Sequence, residues 1–272
     1  MATQVLDFQS SHISYSSWGS GPQIWICIHG YGKSAECFEF LFRQIPADQY
    51  SFFSPDLPYH GQTQWNEDNA LSVEDLLRII EAMLVRAGKG GQYFRILGFS
   101  LGGRIALSLT EKLPKRVKAL VLLAPDGLYT SAWYWMATQN AFGNKLFHSA
   151  VRQPGWIFSL LQLGRTCRVI DREFFKMANY YIQDRNAREH LYDRWMSLRK
   201  FKPDLKAIRS AIAENGIRVA MVFGQNDPMI PAKQGTKFQK GIEKFCHITV
   251  LAEGHQLLQE KYASLIVSLL KD

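Results

Sequence analysis

The chain has 272 residues, 47% of them hydrophobic and 21% charged, with a formal net charge of +8. That composition can bury a large core and excludes a disordered chain. No basic, apolar leader opens it and no apolar run approaches the roughly 18 residues of a spanning helix, so a chain with no export signal and no transmembrane segment is expected.

The four cysteines, Cys27, Cys37, Cys167 and Cys246, lie in strand-like or helix-like runs and form no C-x-x-C spacing. They read as buried free thiols in a reducing, cytoplasmic setting. The charge is unevenly placed: residues 128–206 hold 13 Lys/Arg against 6 Asp/Glu, which is +7 of the total. Such a segment could attract an anionic substrate or a membrane surface, although a solvated helical face is the simpler account. There is no recognised nucleic-acid-binding motif and no basic tail, so nucleic acid is not an expected partner.

In chain order, two hairpin-like strands at 4–8 and 12–18 lead through a Gly-Ser-Gly-Pro turn to the apolar run 23–28, a buried parallel strand. His29-Gly30-Tyr31-Gly32 follows as a glycine-rich bend before a helix expected over 35–45. A strand at 50–55 leaves through Asp56-Leu57-Pro58-Tyr59-His60-Gly61. Ser72 reads as the N-cap of a helix whose apolar stripe is Leu76, Leu77, Ile80, Met83 and Leu84. Further strands are expected at 94–99, 117–124, 219–223 and 247–251, with helices after the first of these, over 231–243 and over 257–270. Repeated alternation of strand and helix implies a parallel sheet covered on both faces. From 128 to 208 the strand signals vanish and aromatics crowd in, Trp133, Trp135 and Trp195 among them, which reads as an inserted helical cap. The expected domains are therefore a core of 1–127 with 209–272 and a cap of 128–208.

Residues 94–107 organise the rest. An apolar strand ends in Gly98-Phe99-Ser100-Leu101-Gly102 and a helix begins at once, the setting that the G-x-S-x-G pattern requires. Ser100 is the candidate nucleophile, and the two glycines meet the steric demand of a sharp turn. A serine hydroxyl needs a base and a group that orients the base. His255 follows a strand end and a glycine near the C-terminus, and Asp227 follows the preceding strand in Gly224-Gln225-Asn226-Asp227-Pro228. Asp126, also at a strand end, is a rival for the acid position.

The order Ser100, Asp227, His255, with His29-Gly30 and the 56–61 loop, resembles the α/β-hydrolase superfamily over nearly the whole chain. The resemblance implies an α/β fold with a mostly parallel eight-stranded sheet, helices on both faces and an inserted helical cap. It implies Ser100 as nucleophile, His255 as general base then acid, Asp227 as orienting carboxylate, and an oxyanion hole from the backbone N–H groups of Tyr31 and Leu101. His29 is expected to shape the oxyanion turn and His60 to fix its own loop. Phe99, Arg104, Trp133 and Trp135 are candidates for substrate contact. The leading expectation is a hydrolase acting on a small ester or acyl compound, without metal or organic cofactor. Gly102-Gly103-Arg104 is also similar to the elbow of a menaquinone-pathway synthase that eliminates pyruvate, in which case Arg104 and the basic cap would bind carboxylates. A carbon-carbon bond hydrolase and a non-catalytic ligand receptor are the further alternatives.

Overall fold

A computed structural model describes residues 2–129, 132–166 and 183–271. Eight strands form one sheet: β1 (Ala2–Phe8), β2 (Ser11–Trp18), β3 (Gln23–Ile28), β4 (Tyr50–Pro55), β5 (Phe94–Phe99), β6 (Val117–Leu123), β7 (Arg218–Gly224) and β8 (Cys246–Leu251). Their order is β1-β2-β4-β3-β5-β6-β7-β8. β1 and β2 pair antiparallel, as do β2 and β4, and every pairing from β4 through β3 to β8 is parallel. The mostly parallel α/β sheet expected from the alternation is therefore present.

From β3 the chain crosses to β4 on one side and later to β5 on the other, so the sheet reverses its winding between β3 and β5. Loops at the carboxyl ends of strands diverge at such a point and leave a crevice. The register Ile28↔Gly98 brings the end of β3 level with the end of β5. Both strands are buried because helices cover the sheet, and Trp25, Ile26, Cys27, Ile96 and Leu97 are each no more than 1% exposed.

Helix α2 (Val73–Arg86) starts at Ser72 with a reciprocal capping box to Asp75, and its buried face is Leu76, Ile79, Ile80, Met83 and Leu84. Ile79 takes the place that the sequence reading gave to Leu77. The helix expected over 35–45 is shorter, a 3-10 turn at Ala35–Phe38 and then α1 (Glu39–Phe42). Gln44 and Ile45 donate to the carbonyls three residues back, which tightens the chain ahead of Pro46. The helix expected over 231–243 is confined to Lys233–Gln239 and is followed by Gly241 at φ 86°. The closing element divides into a 3-10 turn, Glu260–Tyr262, and a helix, Ala263–Lys271.

The chain forms two compact units, Met1–Tyr129 with Lys200–Asp272, and Thr130–Arg199. Residues 128, 129 and 200–208, read from sequence with the insertion, lie in the first unit, where helix Leu205–Asn215 packs on α3 (Leu101–Lys112). The second unit is helical where described: Ala132–Gln139, Ala141–Arg152, Gly155–Thr166 and Arg185–Ser197. Several of its described aromatics pack on one another. Trp195 packs against Tyr134 and Phe147 at 5.1 and 5.4 Å between ring centroids, and Tyr192 against Phe147 and His148 at 5.2 Å each. Among the described residues no helix is long and apolar enough to cross a membrane.

Candidate active site

Ser100 joins β5 to α3 with φ 51° and ψ −116°, a backbone conformation that side-chain-bearing residues rarely adopt. Three backbone hydrogen bonds hold it there. Its N–H donates to Leu123 O at 2.9 Å, and its carbonyl accepts from Gly103 N and Asp126 N at 2.8 and 2.9 Å. A methyl group at Gly98 would lie 2.6 Å from Gly102 O, and one at Gly102 would lie 2.0 Å from Ile28 O. The glycines of the pattern are thus required by the approach of α3 to the ends of β3 and β5.

Ser100 Oγ is 2.9 Å from His255 Nε2, and His255 Nδ1 is 2.7 Å from Asp227 Oδ2. The carboxylate can only accept, so Nδ1 carries the proton and Nε2 is left as acceptor for the serine O–H. The other carboxylate oxygen, Oδ1, accepts from Met229 N at 2.8 Å and Ile230 N at 3.0 Å, which fixes the plane of the group. Asp227's side chain is wholly buried and that of His255 is 14% exposed. The two loops are laced together: Gln225 N donates to Leu251 O and Asn226 N to Glu253 O, at 2.7 and 2.8 Å. A Cβ at Gly224 would stand 2.1 Å from Gly254 O, so glycine is what lets the acid turn lie against the histidine turn. An ion pair between Lys261 and Glu253 ties the histidine loop to the last helical segment.

On the other side of the elbow, His29 is completely buried. Its Nε2 accepts from Leu57 N at 3.1 Å, so Nδ1 is the protonated nitrogen and donates to Gly30 O at 2.9 Å. The ring joins the turn after β3 to the loop after β4. His60 Nδ1 donates to Pro58 O at 2.8 Å within that loop. Both histidines hold backbone. Leu101 is the first residue of α3, so its N–H has no carbonyl partner within the helix. Phe99 is 2% exposed, and its ring packs 5.7 Å from the His255 ring and against Gly30, a filler behind the site.

A family model for the alpha/beta hydrolase fold matches residues 25–260. The chain belongs to the α/β-hydrolase fold family. Among curated relatives, a Mycoplasma pneumoniae protein carrying an esterase/lipase name is 31% identical over 100 residues, 37% of each chain. The human protein called serine hydrolase-like protein is 28% identical over 173 residues, 56% of this chain and 76% of that one. A pimeloyl-acyl-carrier-protein methyl ester esterase of Sodalis glossinidius is 23% identical over 223 residues, 80% and 81% of the two chains. The chain spans 37% of the length of the two Mycoplasma relatives it matches. Of solved structures, an alpha/beta hydrolase enzyme from a deep-sea metagenome library has a TM-score of 0.69 at 14% identity, covering 99% and 98% of the chains. A thermophilic esterase from Thermogutta terrifontis has 0.68 at 16% identity, covering 100% and 98%. These structural likenesses show the fold.

Two further acidic and basic candidates meet each other in this α/β-hydrolase. Arg104 Nη2 lies 2.7 and 3.0 Å from the two carboxylate oxygens of Asp126, with the arginine side chain only 6% exposed. Asp126 Oδ1 also accepts from Gly127 N at 2.6 Å. Asp126 is thus engaged away from His255, which leaves Asp227 as the acid on the imidazole. Arg104 is thus a buried residue paired with Asp126. Of the two tryptophan candidates, Trp135 is 53% exposed on its helix. The Trp133 side chain lies outside the described part of the structure, as do Cys167 and residues 168–182. Within the sheet unit a hollow of about 380 Å³ opens beside the acid loop, walled by Asp126, Leu128 and Tyr129 on one side and Met229, Ile230 and Lys233 on the other. Its two walls are the segments that hold Ser100's carbonyl and Asp227's carboxylate. Among the described residues no group of His, Cys, Asp and Glu is arranged to hold a metal ion.

Proposed function

We propose that the chain hydrolyses a carboxylic ester or related acyl compound through an acyl-enzyme on Ser100. The carrying observation is the hydrogen-bonded line from Ser100 Oγ through both nitrogens of His255 to Asp227, at 2.9 and 2.7 Å. Ser100 Oγ attacks the acyl carbon while His255 Nε2 takes its proton, and Asp227 stabilises the imidazolium without itself accepting a proton. The oxyanion receives the N–H groups of Leu101 and Tyr31, donors whose loss typically costs about 10²- to 10³-fold in rate. Collapse breaks the bond to the leaving alcohol, which leaves with the proton from Nε2. Water then attacks the acyl-enzyme and gives a proton to Nε2; the acyl–Oγ bond breaks, Nε2 returns that proton to Ser100 Oγ, and the acid leaves. The names of the matched esterases and serine hydrolases support this chemistry.

The test is turnover of a p-nitrophenyl ester series from acetate to decanoate by wild type and Ser100→Ala. The expected result is turnover in the wild type and a loss of roughly 10⁴-fold or more in the variant. Equal rates in the two proteins would exclude the serine mechanism. The best chain length sizes the space available to the acyl group.

A further inference from the structure

The turn that supplies the Tyr31 amide is intrinsically loose. It contains Gly30 and Gly32, the latter at φ 71°, and within it only the bond from Lys33 N to Gly30 O, at 3.2 Å, closes the backbone. An oxyanion donor must nevertheless be held to a fraction of an ångström, because a displacement of about 1 Å can cost about 10²-fold in rate. The restraint therefore has to come from outside the turn.

It comes from one short loop. At the start of the turn, His29 Nε2 accepts from Leu57 N at 3.1 Å. At its end, Ala35 N donates to Asp56 Oδ1 at 2.7 Å. Asp56 and Leu57 are neighbours, so both ends of the turn are pinned to the same two residues. Asp56 is 5% exposed and is itself fixed on three further sides. Its Oδ2 accepts from Gln62 N at 3.1 Å, its carbonyl accepts from Thr63 Oγ1 at 2.8 Å, and its N–H donates to Ser14 O at 2.8 Å. The loop wraps so closely that a Cβ on Gly61 would fall 2.1 Å from the Asp56 carboxylate.

We infer that Asp56 is a positioning residue for catalysis, its carboxylate clamping the far end of the 29–35 turn so that the Tyr31 N–H points at the developing oxyanion. The inference rests on the hydrolase reading above. The carboxylate is needed because two backbone donors converge on its two oxygens. An asparagine has one oxygen and one NH₂, so either orientation sets a donor against one of the two N–H groups, that of buried Ala35 or that of Gln62.

The experiment compares wild type with Asp56→Asn, and with Gly61→Ala, which keeps the charge but pushes the carboxylate aside. For each, kcat and KM on the best p-nitrophenyl ester are measured per folded molecule, together with the affinity of an alkyl trifluoromethyl ketone that mimics the tetrahedral adduct. Expected are a fall in kcat of about 10- to 100-fold, KM within about twofold, and a loss of ketone affinity that matches the loss in kcat/KM. A variant that melts earlier but keeps its kcat and ketone affinity overturns the inference, because the carboxylate would then serve stability alone. If wild type hydrolyses no ester, the hydrolase reading fails separately. Amide hydrogen exchange at residues 30–35 still reads the clamp: exchange should quicken about tenfold or more in Asp56→Asn, and unchanged exchange overturns it.

Discussion

The sheet unit and the helical insertion use the same kinds of side chain to opposite ends. In the sheet unit, the turns after β3, β5 and β7 are shaped by steric limits at Gly30, Gly102 and Gly224, and the Asp56 and Asp227 carboxylates are each held by backbone donors. In the insertion, the described aromatics turn on one another, with Tyr134, Phe147, Tyr192 and Trp195 as neighbours, and other large apolar residues, Phe142 and Trp135, stand exposed. The difference teaches that chemistry is written where backbone geometry tolerates no alternative, whereas a helical insertion can exchange residues so long as its interior is filled.

The sharpest way to break that contrast is at Asp227, the proposed acid. Asp227→Asn keeps the size of the side chain but offers His255 an amide, and it is expected to lower kcat by about 10⁴-fold with little change in melting temperature. A loss below tenfold would mean that the imidazole is oriented by something else.

Alkaline unfolding tests the sheet unit as a whole. Burial pushes the thiols of Cys37 and Cys246 up to about 12, and that of Cys27 well above its ordinary value. In the unfolded chain they ionise near 8.5, so above that pH the folded state binds more protons than the unfolded one and stability falls as pH rises. Urea midpoints at pH 7, 9 and 10.5 should therefore decline steadily beyond pH 9; a flat or rising series would show that the thiols are not held protonated.

The smallest effects belong to the insertion. Trp195→Ala should cost about 2 kcal/mol, because the half-buried ring is shared by two neighbours. Phe142→Ser, at a side chain 76% exposed, should stay within about 0.5 kcal/mol. Equal costs at the two positions, measured by denaturant unfolding, would erase the distinction between filler and surface in this unit.

Much of the sheet was legible from sequence because β3, β5, β6 and β7 are short, mostly apolar runs that end in or beside turn residues, and all eight expected strands are present to within two residues at either end. The order Ser100, Asp227, His255 was legible because each of the three lies in the turn that follows a strand. The clamp of Asp56 on Ala35 was not. It joins residues 21 apart through a backbone N–H, and any residue type can supply a backbone donor. Arg104 was ambiguous for a similar reason, since its partner Asp126 lies 22 positions away and pattern alone cannot tell an internal ion pair from a ligand contact. The shortening of the 35–45 and 231–243 helices escaped periodicity because tight turns, not the apolar pattern, end them.

Ser100 sits where glycine would be at ease, and such a conformation costs on the order of 1–3 kcal/mol. In a lineage that no longer needed the reaction, glycine at this position would be a gain in stability, and selection on stability alone would drive the hydroxyl out. The serine at φ 51° is thus a side chain held at a cost in stability. A descendant that keeps the sheet but carries glycine there would be a fold whose inheritance has been separated from its work.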